Sequence, residues 1–150
     1  MTPETKKLME RFDEPGTYEF PGAFDYPDLE RRAKRVYGDI ENLGIRVGFE
    51  GAAHNQDASF SISILLHDYE RRDSTAIIQP TIRFSNFGNL VTLTWMDEIP
   101  ETTVAEVRAS LGRHGFTYVS GAELDCDYDG IMAEKKDCFR TWWIRYFDWL

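Results

Sequence analysis

The sequence predicts an α+β domain: an antiparallel sheet of four or five strands between Ile45 and Ser120, flanked by helices and closed by a Trp-rich C-terminal helix. Three observations predict it. The hydrophobic period changes from 3.6 to two after Gly44, then returns to 3.6 after Pro100. At 150 residues the chain is long enough for one core without disulfides or metal, since a chain of this size buries roughly 68–70% of its unfolded surface. No internal repeat or low-complexity tract divides it. Residues 1–150 are therefore read as a single domain, with 1–26 forming a helix plus an irregular arm packed on the body.

The elements follow in order. Pro3 to Phe12 reads as a short helix with Thr2 as N-cap and Pro3 at the first position. Four of the six prolines lie at or before position 27, and Phe12 to Pro27 mixes Pro and Gly with Phe20, Phe24 and Tyr26. Pro and Gly argue against regular structure there, and the aromatics argue for packing on the body. Asp28 to Leu43 is the clearest helix, because Leu29, Ala33, Val36, Ile40 and Leu43 form one stripe. Asp28 and Glu30 suit its positive end, and Gly44 suits its stop.

Period two then takes over. Ile45, Val47 and Phe49 alternate with Arg46, Gly48 and Glu50. Phe60, Ile62, Ile64 and Leu66 alternate with Ser59, Ser61, Ser63 and Leu65. Ala76–Phe84 and Leu90–Met96 are expected to form a hairpin across Ser85–Asn89. Pro80 implies an edge strand or a bulge, because it lacks a backbone donor. Thr102–Arg113 is a helix with Val104, Val107 and Leu111 on one face, capped by Thr102 or Thr103 and stopped by Gly115. Phe116–Ser120 is a fifth strand. In Phe139–Leu150 a helical wheel gathers Phe139, Trp142, Trp143, Tyr146, Phe147, Trp149 and Leu150 on one side. Thr141, Arg145 and Asp148 fall on the other, so we read an amphipathic helix capped by Asp137.

Composition narrows the function. Asp and Glu number 26 against 17 Lys and Arg, for a net charge of -9. Nucleic-acid binders need clustered basic residues to neutralise phosphates, and anionic membrane surfaces favour the same sign. Both partners are disfavoured, and a partner with a basic surface is attracted instead. The N-terminus shows no apolar signal region, and the apolar stretch Ala58–Leu66 is too short for a membrane span. With only Cys126 and Cys138, the chain reads as a reduced cytoplasmic protein.

Catalytic signatures are lacking at the level of sequence. There is no G-x-S-x-G, no phosphate-binding loop, no H-E-x-x-H and no C-x-x-C, and Gly44, Gly48 and Gly51 do not match a dinucleotide fingerprint. His54, His67 and His114 are scattered. No catalytic residue, metal ligand or cofactor is therefore assigned. The sharpest local pattern is Asp125-Cys126-Asp127-Tyr128-Asp129-Gly130. Alternating carboxylates before a Gly suit a calcium loop, but the twelfth position is Lys136, where a bidentate Glu is required. The other readings are an acid–base pair or an acidic loop with a turn at Gly130. Arg71-Arg72 lies among Asp68, Glu70 and Asp73 and reads as a solvated hairpin tip.

The same loop sits in an acidic window. Gly115 to Glu134 holds no Lys or Arg but carries Glu123, Asp125, Asp127, Asp129 and Glu134. Carboxylates steer a basic partner and tyrosines anchor it. Glu123, Asp125, Asp127, Tyr128 and Asp129 are the candidate partner-binding residues. The alternative is a solvated loop with its Tyr rings on the core. Most of the C-terminal aromatics belong in a core, with one or two available to a partner or a homodimer interface.

In size, charge and aromatic content the chain resembles bacterial immunity proteins that neutralise toxins, and also the small acidic chaperones of secreted effectors. Neither resemblance rests on a motif, so neither assigns a site. The first implies a non-enzymatic inhibitor of one protein partner, the second a dimeric chaperone. A small enzyme or ligand binder using the Asp125–Asp129 loop is the third class.

Overall fold

The computed structural model describes residues 1–51, 61–72, 74–135 and 138–148. The expectations for His54, Ser59, Phe60, Asp73, Lys136, Asp137, Trp149 and Leu150 fall outside the described residues.

α1 (Pro3–Phe12) begins where Thr2 Oγ1 accepts from Thr5 N at 3.2 Å. α2 (Tyr26–Asn42) starts two residues earlier than the sequence suggests, because Asp25 is its N-cap and accepts from Asp28 N at 2.9 Å. Leu29, Ala33, Val36 and Ile40 are buried along its inner stripe. Leu43 is not in the core, being 49% exposed. It lies past the last helical turn, where Gly44 at φ +82° swings the chain away.

Five strands form the main sheet: β1 (Val47–Glu50), β2 (Ile62–Leu66), β5 (Thr81–Phe84), β6 (Leu90–Leu93) and β7 (Thr117–Tyr118), in the order β1-β2-β5-β6-β7. β3 (Arg71–Arg72) and β4 (Ile77–Ile78) make a separate two-stranded ladder. Arg71 and Arg72 sit there in ion pairs, Arg71 with Glu98 at 2.7 Å and Arg72 with Glu70 at 3.0 Å. Pro80 neither bulges a strand nor marks an edge. It splits the apolar run 76–84 into β4 and β5, and its carbonyl accepts from Leu66 N at 2.9 Å where β2 meets β5. The β5–β6 hairpin across Ser85–Asn89 is present, with Gly88 at φ +60° and Asn89 at φ +56°.

One expectation is corrected: the sheet is mixed. β1, β2, β5 and β6 are antiparallel neighbours, but β7 runs parallel to β6. The reason is the connection. α3 (Glu101–Arg113) spans 13 residues between them, long enough for the crossover that parallel strands need. α3 also starts at Glu101 after Pro100, with no side-chain cap. Thr103 instead shares a 3.0 Å hydrogen bond with the Tyr69 hydroxyl.

Alternation along β6 divides two clusters. Val91 and Leu93 join an aliphatic cluster with Ile62, Ile64, Leu66 and Ile82, covered by α2 and α3. Leu90 points the other way, into an aromatic cluster with Met9, Phe87, Tyr128, Phe139, Trp142 and Tyr146.

The aromatic cluster closes through α4 (Gly121–Leu124) and α5 (Trp142–Phe147). α5 is shorter than expected, and its N-cap is Thr141, whose hydroxyl accepts from Ile144 N at 3.2 Å. Phe139 is buried but precedes the helix. The expected polar face is also corrected, because Arg145 is fully buried. Its Nε donates to Asp13 Oδ1 at 3.0 Å, its other nitrogens to the Tyr18 and Glu14 carbonyls and Thr17 Oγ1 at 3.3–3.4 Å. The rings of Phe87 and Phe139 lie 4.4 and 5.0 Å from its guanidinium. The N-terminal arm thus replaces the water that a helical wheel assumes. Among the described residues, no helix is long and apolar enough to cross a membrane.

Candidate functional site

The parallel pairing of β6 and β7 has a geometric result. Both strands end at the same edge of the sheet, so the segments that follow them lie side by side. Trp95 to Glu98 leaves β6, and Ser120 to Asp125 leaves β7. Between them is a groove of about 590 Å³. Open sheets commonly bind ligands outside the carboxyl ends of parallel strands for this reason.

Trp95 stands at the groove. Its backbone is left-handed, φ +53° and ψ +40°, a conformation that costs a bulky residue about 1–2 kcal/mol. The strands hold it there. Thr94 N donates to Thr81 O at 2.9 Å and Thr94 Oγ1 accepts from Thr81 N at 3.1 Å. On the other side Glu98 N donates to Trp95 O at 3.0 Å, closing a 3-10 turn at Met96–Glu98. The Trp95 side chain is 57% exposed.

Met96, Tyr118 and Trp143 complete the apolar lining, and Asp97 and Asp125 supply carboxylates. Among the described residues no Lys or Arg lines the groove. The Tyr118 hydroxyl donates to Met96 Sδ at 3.3 Å, and burial raises its pKa. Gly121 keeps the floor open. A Cβ there would stand 3.1 Å from Trp143 Cζ3 and 3.3 Å from Thr92 Oγ1, and the buried Thr92 hydroxyl has no hydrogen-bond partner among the described residues.

The five candidates from the acidic window separate into two groups. Asp125 lies in the groove lining, and Asp127 is exposed beside it, its backbone bridged to Thr141. Neither carboxylate pairs with a basic side chain among the described residues. The other three tie down the N-terminal segment. Glu123 accepts from Thr2 N and Thr2 Oγ1 at 3.0 Å each, and these bonds lower its pKa. Asp129 pairs with Lys6, which lowers its pKa, and also accepts from Trp142 Nε1 at 3.1 Å.

Tyr128 is buried and donates to Asp13 Oδ2 at 2.5 Å; burial first, then this bond, pushes its pKa up to about 12. Asp13 Oδ2 comes so close to Gly130 that a Cβ there would collide with it. Gly130 opens a turn, as expected, with Ala133 N donating to its carbonyl at 3.0 Å. Its missing side chain, however, serves Asp13. Because Asp129 faces Lys6, the loop carboxylates do not converge as a calcium loop requires. No group of three or more His, Cys, Asp or Glu among the described residues is arranged to hold a metal.

Sequence reasoning missed Trp95, Met96 and Asp97 and left Trp143 among the core aromatics. Period two assigns Trp95 to the same face as Val91 and Leu93, inside. The strand ends at Leu93, and the left-handed turn carries the ring outward.

The histidines make no catalytic set among the described residues. His67 lies over Gly48, with its Nδ1 4.0 Å from Glu70. His114 Nε2 contacts Asp39 Oδ2 at 3.0 Å, and Ser110 Oγ donates to the same oxygen at 2.7 Å. The order is wrong for nucleophilic catalysis, which places His between the hydroxyl and the carboxylate. Asp39 instead bridges α2 to α3, and the hydrogen bonds from Ser110, Arg113 and His114 lower its pKa to about 2. Compared with protein-family models, with curated proteins and with solved structures, the chain matches none.

Proposed function

We propose that the chain is a non-enzymatic protein-binding protein of the inhibitor or immunity type, and that the Trp95 groove takes a basic segment of its partner. One observation carries this reading. A large ring is held outward by a strained backbone, over an apolar groove whose charged lining groups, among the described residues, are Asp97 and Asp125. Strained conformations persist where surrounding structure enforces them, and they cluster at functional sites. Exposed Trp with a carboxylate rim suits protein recognition, in which aromatics anchor and charges steer. The net charge of -9 favours approach of a basic partner.

Selection of displayed random decapeptides against the full chain tests the proposal. Peptides combining Lys or Arg with an apolar residue are expected. Their affinity falls with salt, and Trp95→Ala weakens them at least tenfold, as loss of an interface anchor does. Asp125→Lys slows association and flattens the salt dependence, and Asp127→Lys does so less because it lies outside the groove. Selected peptides indifferent to Trp95→Ala, to Asp125→Lys and to salt overturn the proposal. So does a catalytic turnover lost on Asp125→Asn with the fold intact.

A further inference from the structure

We infer that the groove recognises its partner through one cationic side chain, a lysine or an arginine, seated on the face of the Trp95 indole with Asp97 and Asp125 as counter-charges. This rests on the protein-binding reading and specifies what the groove selects. The rings around the groove already bind cations from within the chain. The Arg108 guanidinium lies 4.3 Å from the centroid of Tyr118, and that of Arg83 lies 5.8 Å from Trp143. Trp95 is the exception. Among the described residues it stacks on no ring and carries no cation, although it is the most exposed of the three and tryptophan has the strongest quadrupole of the aromatic side chains.

Charge balance points the same way. Glu98, next in the turn, is already paired with Arg71 at 2.7 Å. Asp97 and Asp125 have no such partner among the described residues. A guest ammonium or guanidinium at Trp95 brings positive charge into a groove that both carboxylates line. An acidic guest meets two like charges, and a purely apolar guest leaves them unanswered.

The test follows the Trp95 indole N–H by NMR in the full-length chain, titrated with tetramethylammonium, with tri-lysine amide and with tert-butanol, a neutral molecule shaped like the first. Both cations are expected to shift the Trp95 resonance and to bind about three- to tenfold more tightly than tert-butanol, the range of a partly exposed cation–π contact. Trp95→Leu retains an apolar side chain but removes the π face; followed through the backbone amides of Met96 and Asp97, it is expected to abolish that preference. Asp97→Asn with Asp125→Asn is expected to weaken both cations and leave tert-butanol unchanged. Equal binding of the neutral and cationic probes at Trp95 overturns the cation inference while leaving a protein-binding groove. Cation shifts that bypass Trp95, or no binding by any probe, also overturn it. The peptide selection above fails separately, through peptides that ignore the groove.

Discussion

The two faces of the sheet are built by different rules. The aliphatic cluster under α2 and α3 is assembled mainly from Ile, Leu and Val at regular spacing, together with Phe84 and Phe116, and no charged side chain is buried in it. The aromatic cluster on the other face is organised around charged and hydroxyl groups. Arg145, Asp13, Tyr128 and Tyr146 bond to one another's segments, and the rings pack around them. The first kind of core depends on area, which tolerates small changes of shape. The second depends on each polar partner being present, since an unpaired buried charge costs several kcal/mol.

The sharpest way to break the comparison is at its polar centre. Arg145→Ala removes a fully buried cation from a fully formed set of acceptors and strands the Asp13 carboxylate, which is 2% exposed. A loss of about 3–5 kcal/mol is expected by denaturant titration. Trp142→Ala, in the same cluster, should lose a similar amount through its cavity. Asp13→Asn in the Arg145→Ala background is expected to cost little more, because the pair is already broken. Additive losses would show that the two residues act independently and that the cluster is held by ring area alone.

A milder change sharpens the contrast. Ile64, buried in the aliphatic cluster, should tolerate Ile64→Val at a cost of about 1 kcal/mol. A loss as large as that of Arg145→Ala would erase the distinction between the two cores.

The smallest effect is electrostatic and lies outside both clusters. Asp39 titrates at about 2 in the folded chain, below its ordinary 3.8. Its stabilisation is therefore fully present above pH about 4. It is lost as pH falls towards 2, because the unfolded chain takes up the proton first. With this carboxylate about one-third exposed, Asp39→Asn is expected to remove roughly 0.5–1 kcal/mol above pH 4, only a small part of that at pH 2, and almost nothing at pH about 1. Stability curves of the two proteins that remain parallel across this range would contradict the assignment.

The comparison also explains what could be read in the sequence. α2, β2 and the inner face of α3 were legible because periodicity reports directly on a face buried against one neighbour. Leu43 shows the limit: it keeps the period but lies beyond the helix. Arg145 was illegible, since its burial depends on Asp13 and Thr17, more than a hundred residues away. The parallel pairing of β7 was illegible for a related reason, as two residues of strand carry no signal of direction. The groove inherits that gap. Asp125 was visible as part of an acidic run, but its nearness to Trp95 is a product of β6 and β7 ending together. Glu123, Tyr128 and Asp129 look alike in sequence to Asp125 and Asp127, and only tertiary structure assigns them to holding the N-terminal segment.

The contacts that hold that segment span almost the whole chain. Tyr146 reaches back 137 residues to the Met9 carbonyl, Arg145 132 residues to Asp13, and Glu123 121 residues to Thr2. The aliphatic cluster draws its members from Leu29 to Phe116. Ring closure over long separations carries the larger entropic charge on folding. A nascent chain can therefore complete α2, the sheet and α3 while its first dozen residues still wait for their counterpart. In the folded protein the reverse step is expected to follow the same line, α1 and the arm detaching together as one cooperative unit and leaving the aliphatic half intact. Hydrogen exchange should divide the molecule along that line, with amides of α1 and α5 opening together and those of β2 and β5 last.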